Sequence, residues 1–195
     1  MFSCWQDAEM TIPFTGINAV FTYKNNELQN EPITGVFYFG NPDASVKLQD
    51  AVNPSVNPIV IKPDYALSEP PRGEYIHKDE VYKVGAYIYK VIQGGTTDAE
   101  LPTYQTGIGS EIFDGQAVLQ CIYKSHTTAE VKLALSANGL NTAIAGGAVQ
   151  LGTEIIGGVG IAIYYQITNS NSQSFNTLNN PQLCLSISEV IETGV

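Results

Sequence analysis

The sequence predicts an all-β protein of β-sandwich or jelly-roll-like architecture, with extended N-terminal and Pro-rich arm segments. Two observations carry this expectation. Gly (18) and Pro (10) punctuate the 195 residues, and the runs between them are short and rich in Tyr, Val, Ile and Thr. Sustained helical periodicity is nearly absent, whereas alternation with period two recurs along the chain.

The elements follow in order. Ala19–Tyr23 and Gly35–Gly40 are aromatic and β-branched runs of the kind found in strands packed on both faces. The polar stretch Lys24–Pro32 between them reads as a loop. Asn53–Pro63 carries Pro54, Pro58 and Pro63, a spacing that forbids helix and favours an extended arm or an edge strand. Ser68–Gly73 contains a Pro-Pro pair and a terminal glycine, and reads as a linker or sharp turn. The expected organisation is therefore an N-terminal β region with an extended arm (1–67), a linker (68–73) and a C-terminal β-sandwich-like domain (74–195).

In the second region, Glu80–Ile92 alternates in places, with Tyr87 and Tyr89 on one face and Ala86 and Ile88 on the other. Gly94–Thr97 turns the chain, and Asp114-Gly115 is a hairpin-type dipeptide leading into a strand over Ala117–Tyr123. Glu130–Ser136, Ile161–Thr168 and Leu183–Val190 again alternate, the last two being separated by the Asn- and Ser-rich loop Asn169–Pro181. Leu140–Val149 is the one stretch in which a short helix fits. Strands spaced by turn signals in this way are the mark of sandwiches and jelly rolls.

Composition narrows the function classes. Hydrophobic residues make up 44%, enough to bury a sizeable core. Charged residues make up only 14%, against about 25% in a typical soluble domain. Much of the surface is thus uncharged or covered by something else, which suits a subunit of an assembly. The net charge is −10 and the last basic residue is Lys132, a balance opposed to phosphate binding, so no nucleic-acid partner is expected. Cys4, Cys121 and Cys184 are odd in number and far apart, with no C-x-x-C pair, and read as buried apolar residues of a reduced compartment. The first residues lack the pattern of a signal peptide. The most apolar stretch, Ile155–Ile167, is broken by glycines and falls short of the roughly 18 residues a spanning helix needs. A soluble protein made in the cytoplasm, with no membrane partner, is expected.

Motifs that carry chemistry are sparse. His77 and His126 have no partner at ligand spacing, so neither a metal nor a cofactor is expected. Ser110 follows Gly107-Ile-Gly109 without the second glycine of a nucleophile elbow. Gly157-Gly-Val-Gly160 lacks the lysine of a phosphate cradle and reads as close packing of a neighbouring backbone. Glu111 and Asp114 are the one carboxylate pair of the glycosidase type, although their separation in space is not set by their spacing in sequence. No catalytic residue is assigned, and a non-enzymatic protein is expected. Eleven tyrosines and seven phenylalanines against one tryptophan fit core and interface positions, with sugar binding as the other use of such residues.

Two stretches resemble tailed-phage virion structural proteins. The first runs from Tyr87-Ile-Tyr-Lys-Val-Ile-Gln-Gly-Gly-Thr-Thr97 through Pro102-Thr-Tyr-Gln-Thr-Gly-Ile-Gly-Ser-Glu-Ile-Phe-Asp-Gly115, with the Leu119–Cys121 neighbourhood where the pattern commonly carries Trp. The second runs from Glu130-Val-Lys-Leu-Ala-Leu-Ser136 through Leu151-Gly-Thr-Glu-Ile-Ile-Gly-Gly158 to Glu192. The resemblance implies a virion part, in the first place a capsid decoration (cement) protein that stabilises the head by binding neighbouring subunits. The alternative it implies is a tail, collar, baseplate or fibre component, including a carbohydrate-binding receptor-recognition module. Its partners would be the major capsid protein or other virion subunits, in a homo-oligomer such as a trimer, located in the virion after synthesis in the host cytoplasm. It carries over no catalytic residue. The expected assembly contacts are Phe2 and Trp5 near the N-terminus and Pro54, Pro58, Ile59, Ile61 and Pro63 of the arm.

Overall fold

A computed structural model of the chain describes residues 1–13, 31–168 and 183–195. The strand expected over Ala19–Tyr23, most of the loop after it and the whole of Asn169–Pro181 lie outside the described residues. In chain order the first strands are β1 (Ser3–Trp5), β2 (Pro32–Gly40), β3 (Val46–Asp50), β4 (Val60–Tyr65), β5 (Tyr75–Ile76), β6 (Val81–Val84), β7 (Tyr87–Gln93) and β8 (Gly95–Thr96). The others are β9 (Glu111–Asp114), β10 (Ala117–Lys124), β11 (Val131–Ala134), β12 (Val149–Gln150), β13 (Glu154–Ile156), β14 (Ile161–Thr168), β15 (Leu183–Ile187) and β16 (Val190–Gly194). Every ladder among the described residues is antiparallel. The described residues contain no α-helix, and the fold is all-β and sandwich-like, as the sequence predicts. Short 3-10 turns span Thr128–Glu130 and Asn138–Asn141; the second shares only Leu140 and Asn141 with the stretch Leu140–Val149 that fits a short helix by sequence, and the rest of that stretch is not helical.

The strands gather around two cores. A four-stranded sheet, β1-β2-β14-β11, and two three-stranded sheets, β12-β4-β15 and β13-β3-β16, share the first. In it Phe37, Phe39 and Ile163 meet Leu48, Ile61, Ile155 and Leu185. The sheet β6-β7-β10-β9 and the pair β5-β8 hold the second, built on Tyr89, Val91, Ile112, Leu119 and Cys121. This grouping differs from the division at 68–73 expected from sequence. β2 pairs with β14 from Pro32 to Phe39, and β3 and β4 pair with β12, β13, β15 and β16, so segments on both sides of the linker share one core. Residues 75–124 form an excursion between β4 and β11 with apolar contents of its own. Pairings this distant in sequence leave no local signal.

Local rules explain the turns. Glu80–Ile92 is not one continuous run. Val84 pairs with Tyr87, leaving Gly85-Ala86 as a hairpin loop with Gly85 at φ +56°, a conformation that favours glycine. Tyr89 and Ile88 are consequently both buried, on opposite faces of β7. Asp114 likewise pairs with Ala117, with Gly115 at φ +64° in the expected hairpin.

The Pro-spaced stretch is extended only in its second half, and there it is the central strand of a sheet rather than an arm. Ser188 N–H donates to Val60 O (2.9 Å), so the even-numbered residues of β4 face β15 for hydrogen bonding. The missing N–H of Pro63 points the other way, where β12 has already ended because it pairs only with Val60 and Ile61. The first half, 51–57, is a tight loop tied to Asp50. One Asp50 oxygen accepts the N–H groups of Asn53 (2.8 Å) and Val52 (3.0 Å) and the Asn57 amide (3.1 Å).

The Asn53 N–H is the main cause that holds the Asp50 carboxyl below its ordinary value; partial burial opposes it, and Asn57 and Val52 add to the lowering. A carboxyl lowered on folding stabilises the fold above its unfolded value, and that contribution disappears as pH falls through the folded value. The protection factors of the 51–57 amides, exchange rates corrected for their intrinsic pH dependence, should therefore fall on acidification below about pH 4. Asp50→Asn, which cannot titrate, should remove that pH step; an unchanged step would show that Asp50 does not hold the loop.

Cys4 and Cys121 are buried and Cys184 is half-buried; none of the three forms a disulfide. Burial pushes the thiols of Cys121 and Cys184 up, lowering the thiolate fraction that reacts. At pH 8, Ellman's reagent should label Cys184 slowly and Cys4 and Cys121 only after unfolding; prompt labelling of all three in the native protein would contradict the packing.

Candidate functional site

Two clusters of ionisable side chains are buried. In the first, Asp114 at the end of β9 is fully buried. Its Oδ1 accepts Arg72 Nη1 (3.0 Å) and the Asp98 N–H (2.9 Å), while Oδ2 accepts the Tyr104 hydroxyl (2.7 Å) and lies 2.8 Å from Arg72 Nη1. Burial, and then the bond to Asp114, push the Tyr104 phenol up, so it remains a donor at neutral pH. Tyr104 packs edge-on against Tyr89, centroids 4.8 Å apart. Tyr89 donates to Gln105 O (2.9 Å), and burial pushes its phenol up to about 12. The carboxylate is occupied on both oxygens and pins the linker, the 98–105 segment and the β9–β10 hairpin together.

Glu111, the other member of the expected carboxylate pair, is exposed. An offset of three along a strand turns the two side chains to opposite faces. The glycosidase-type pairing of Glu111 with Asp114 therefore does not assemble.

In the second cluster, His126 Nδ1 lies 2.6 Å from Glu130 Oε2, with both side chains buried. The same carboxylate oxygen accepts the Thr127 N–H (3.3 Å), and Ser125 Oγ donates to the His126 carbonyl (2.7 Å). This cluster fastens the crossing from β10 to β11. Its sequence signal is the His126-x-x-x-Glu130 spacing, an ion-pair spacing rather than a metal-ligand pattern. His77 is exposed, edge-on to Tyr75 at 5.1 Å. Among the described residues, no group of three or more His, Cys, Asp or Glu is placed to hold a metal ion. The glycines at 157–160 do mark close packing: the missing Cβ of Gly157 is replaced by the Asp43 carbonyl.

The expected assembly contacts are redistributed. Phe2, Ile59 and Ile61 are 1%, 0% and 2% exposed, and Pro63 is buried as well. Their apolar surface is already covered within the chain, Phe2 lying 6.1 Å from the Phe39 ring, so they have none to offer a neighbour. Pro58 is half-buried, and Pro54 is exposed at the tip of the 51–57 loop. Trp5 is half-buried, its indole N–H donating to Gly40 O (2.9 Å).

Trp5 belongs to a larger feature. Phe37, Phe39, Ile163, Ile167, Val131 and Leu133 point into the core, so the alternate residues of the same strands form an outward face. Register places Trp5 opposite Tyr38, Tyr38 opposite Ala162, and Tyr164 between Val36 and Ala134. Next to them Thr34, Gln166 and Lys132 form a row across β2, β14 and β11. The Asn138–Asn141 turn folds over one side, with Leu140 buried. Between turn and sheet lies an open cleft of about 370 Å³ lined by Thr34, Gly35, Val36, Ala137, Leu140 and Tyr164. A more polar cleft of about 470 Å³ runs along β4 and β15, lined by Val60, Lys62, Asp64, Ser186, Ile187 and Ser188. Sequence reasoning singled out Trp5 but not Tyr38 or Tyr164, because what unites them is cross-strand register.

No protein-family model, curated protein or solved structure matches the chain.

Proposed function

We propose that the chain is a non-enzymatic structural protein of a tailed-phage virion, acting as a capsid decoration (cement) subunit that stabilises the head by binding neighbouring subunits. The observation that carries this reading is where the exposed apolar side chains stand. Val52 and Val56 flank Pro54 on the 51–57 loop, Phe113 projects from β9 at 72% exposure, and Ile144 and Val159 are as open on turns. Projecting apolar groups on well-tied turns are suited to subunit contacts, since each Å² of apolar surface covered contributes about 25 cal/mol. The low charge content and the resemblance of residues 87–115 and 130–192 to virion proteins support the same reading. The loop carrying Val52, Pro54 and Val56 takes the contact role first expected of an arm.

The test uses capsids purified from the phage that encodes the chain and stripped of the protein. Added protein should cosediment saturably, at a fixed ratio to the major capsid protein, and raise the temperature at which the capsids release DNA. Protein that stays in the supernatant at every concentration would overturn the proposal.

A further inference from the structure

We infer that the outward face of the β1-β2-β14-β11 sheet is a binding site for a carboxylated saccharide, such as a uronate- or sialate-bearing glycan. The inference is independent of the assembly reading, since a decoration subunit and a free binding module could use such a face equally.

The first argument is the floor. Trp5, Tyr38 and Tyr164 stand on one face of one sheet, each half-buried. Nothing in the core requires them there, because the inward positions of these strands already fill it. The indole N–H of Trp5 is held by Gly40 O, which fixes the ring before any ligand arrives. Aromatic faces carry negative electrostatic potential and present apolar area, so they stack against the C–H face of a pyranose ring.

The second argument is the shape. The Asn138–Asn141 turn raises a wall over Ala134, and the cleft beside it measures about 370 Å³, within the range of small-ligand sites. Tyr164 lines it together with Thr34. Gln166 and Lys132 follow Thr34 in the same cross-strand row. Hydroxyl, amide and ammonium groups beside an aromatic floor supply the donors and acceptors that sugar hydroxyls need.

The third argument is charge. The chain has a net charge of −10, yet none of the outward positions of these four strands carries a carboxylate. Lys132 is their only cation and has no ion-pair partner among the described residues. A cation in the row that continues from Thr34, beside a cleft with no carboxylate among its described lining residues, favours an acidic ligand over a neutral or basic one.

The test exploits composition: Trp5 is the only tryptophan of the chain, so tryptophan emission reports from this face alone. The full-length protein is titrated with trigalacturonate and sialyllactose, and with lactose as the uncharged comparison. At least one acidic sugar should give a saturable change, bind about tenfold more tightly than lactose, and weaken as salt rises. Lys132→Gln should bring the acidic sugar down to the affinity of lactose. Tyr164→Ala should weaken both by about tenfold. Ala137→Phe, at an exposed position on the cleft rim, should block binding without touching the sheet if Tyr164→Ala fails to fold. Absence of saturable binding up to about 10 mM, equal affinity for lactose, or binding unmoved by these variants would overturn the inference. So would a sugar-blind protein whose self-association is lost in Tyr164→Ala, which would make the face a protein interface.

Discussion

Asp114→Ala should lower the free energy of unfolding by about 3 kcal/mol. For a chain of this length that corresponds to a fall in melting temperature of about 10 °C. The carboxylate is fully buried, while the Arg72 side chain is 25% exposed. Removing the acid leaves the guanidinium, the Tyr104 hydroxyl and the Asp98 N–H without their acceptor. Arg72 recovers part of its hydration at the surface, which places the loss at the low end of what breaking a buried pair costs. Denaturant titration measures the total, and hydrogen exchange should show the loosening concentrated in residues 75–124. Combined with Arg72→Met, the loss should be smaller than the sum of the single changes, because the second substitution removes the stranded charge. A loss under about 1 kcal/mol in Asp114→Ala would mean that the cluster does not staple the second core.

Gly157→Ala should be comparably damaging, at about 3 kcal/mol. A methyl group there would overlap the Asp43 carbonyl oxygen and stand 3.1 Å from Asn41 O. Both obstacles are backbone, so no side-chain rotation relieves them. Gly157 N–H also donates to Val46 O (2.9 Å), joining the β13–β14 turn to β3, so the strain passes straight into the first core. Gly85→Ala is the instructive contrast. Its φ is +56°, but nothing lies within 4 Å of the added methyl. Only the conformational penalty remains, about 1 kcal/mol. Equal losses in the two variants would show that the close approach to Asp43 is not what requires glycine at 157.

These residues also show which features could be read from sequence. The Asp114-Gly115 hairpin, the Ala117–Tyr123 strand and the period-two runs at 130–136 and 161–168 are local, and local rules found them. Gly85 is hidden inside a strand-like run because alternation continues on both sides of a hairpin turn. Long-range pairing was invisible: nothing in residues 32–39 indicates that they meet 161–168. The same gap misplaced Phe2, Ile59 and Ile61, which look like arm residues beside prolines and termini and are core residues once β1 and β4 are paired. The buried polar clusters are half legible. Asp114 and His126 stand out as residues, but Arg72 and Tyr104 are brought to Asp114 by tertiary packing alone. The aromatic face depends on register across three strands, which a single sequence does not encode locally.

The excursion over residues 75–124 has a consequence for how this chain can change over generations. β4 lies against β11 and against the 128–130 turn, so the polypeptide leaves the larger set of sheets and rejoins it at neighbouring points. A segment tethered at one spot, with interior packing of its own, can be lengthened, traded or trimmed to a short bridge while the ladder from Pro32 to Thr168 stays in register. Descendants of this protein are thus free to diverge in that appendage first, and to keep the sheets that carry it.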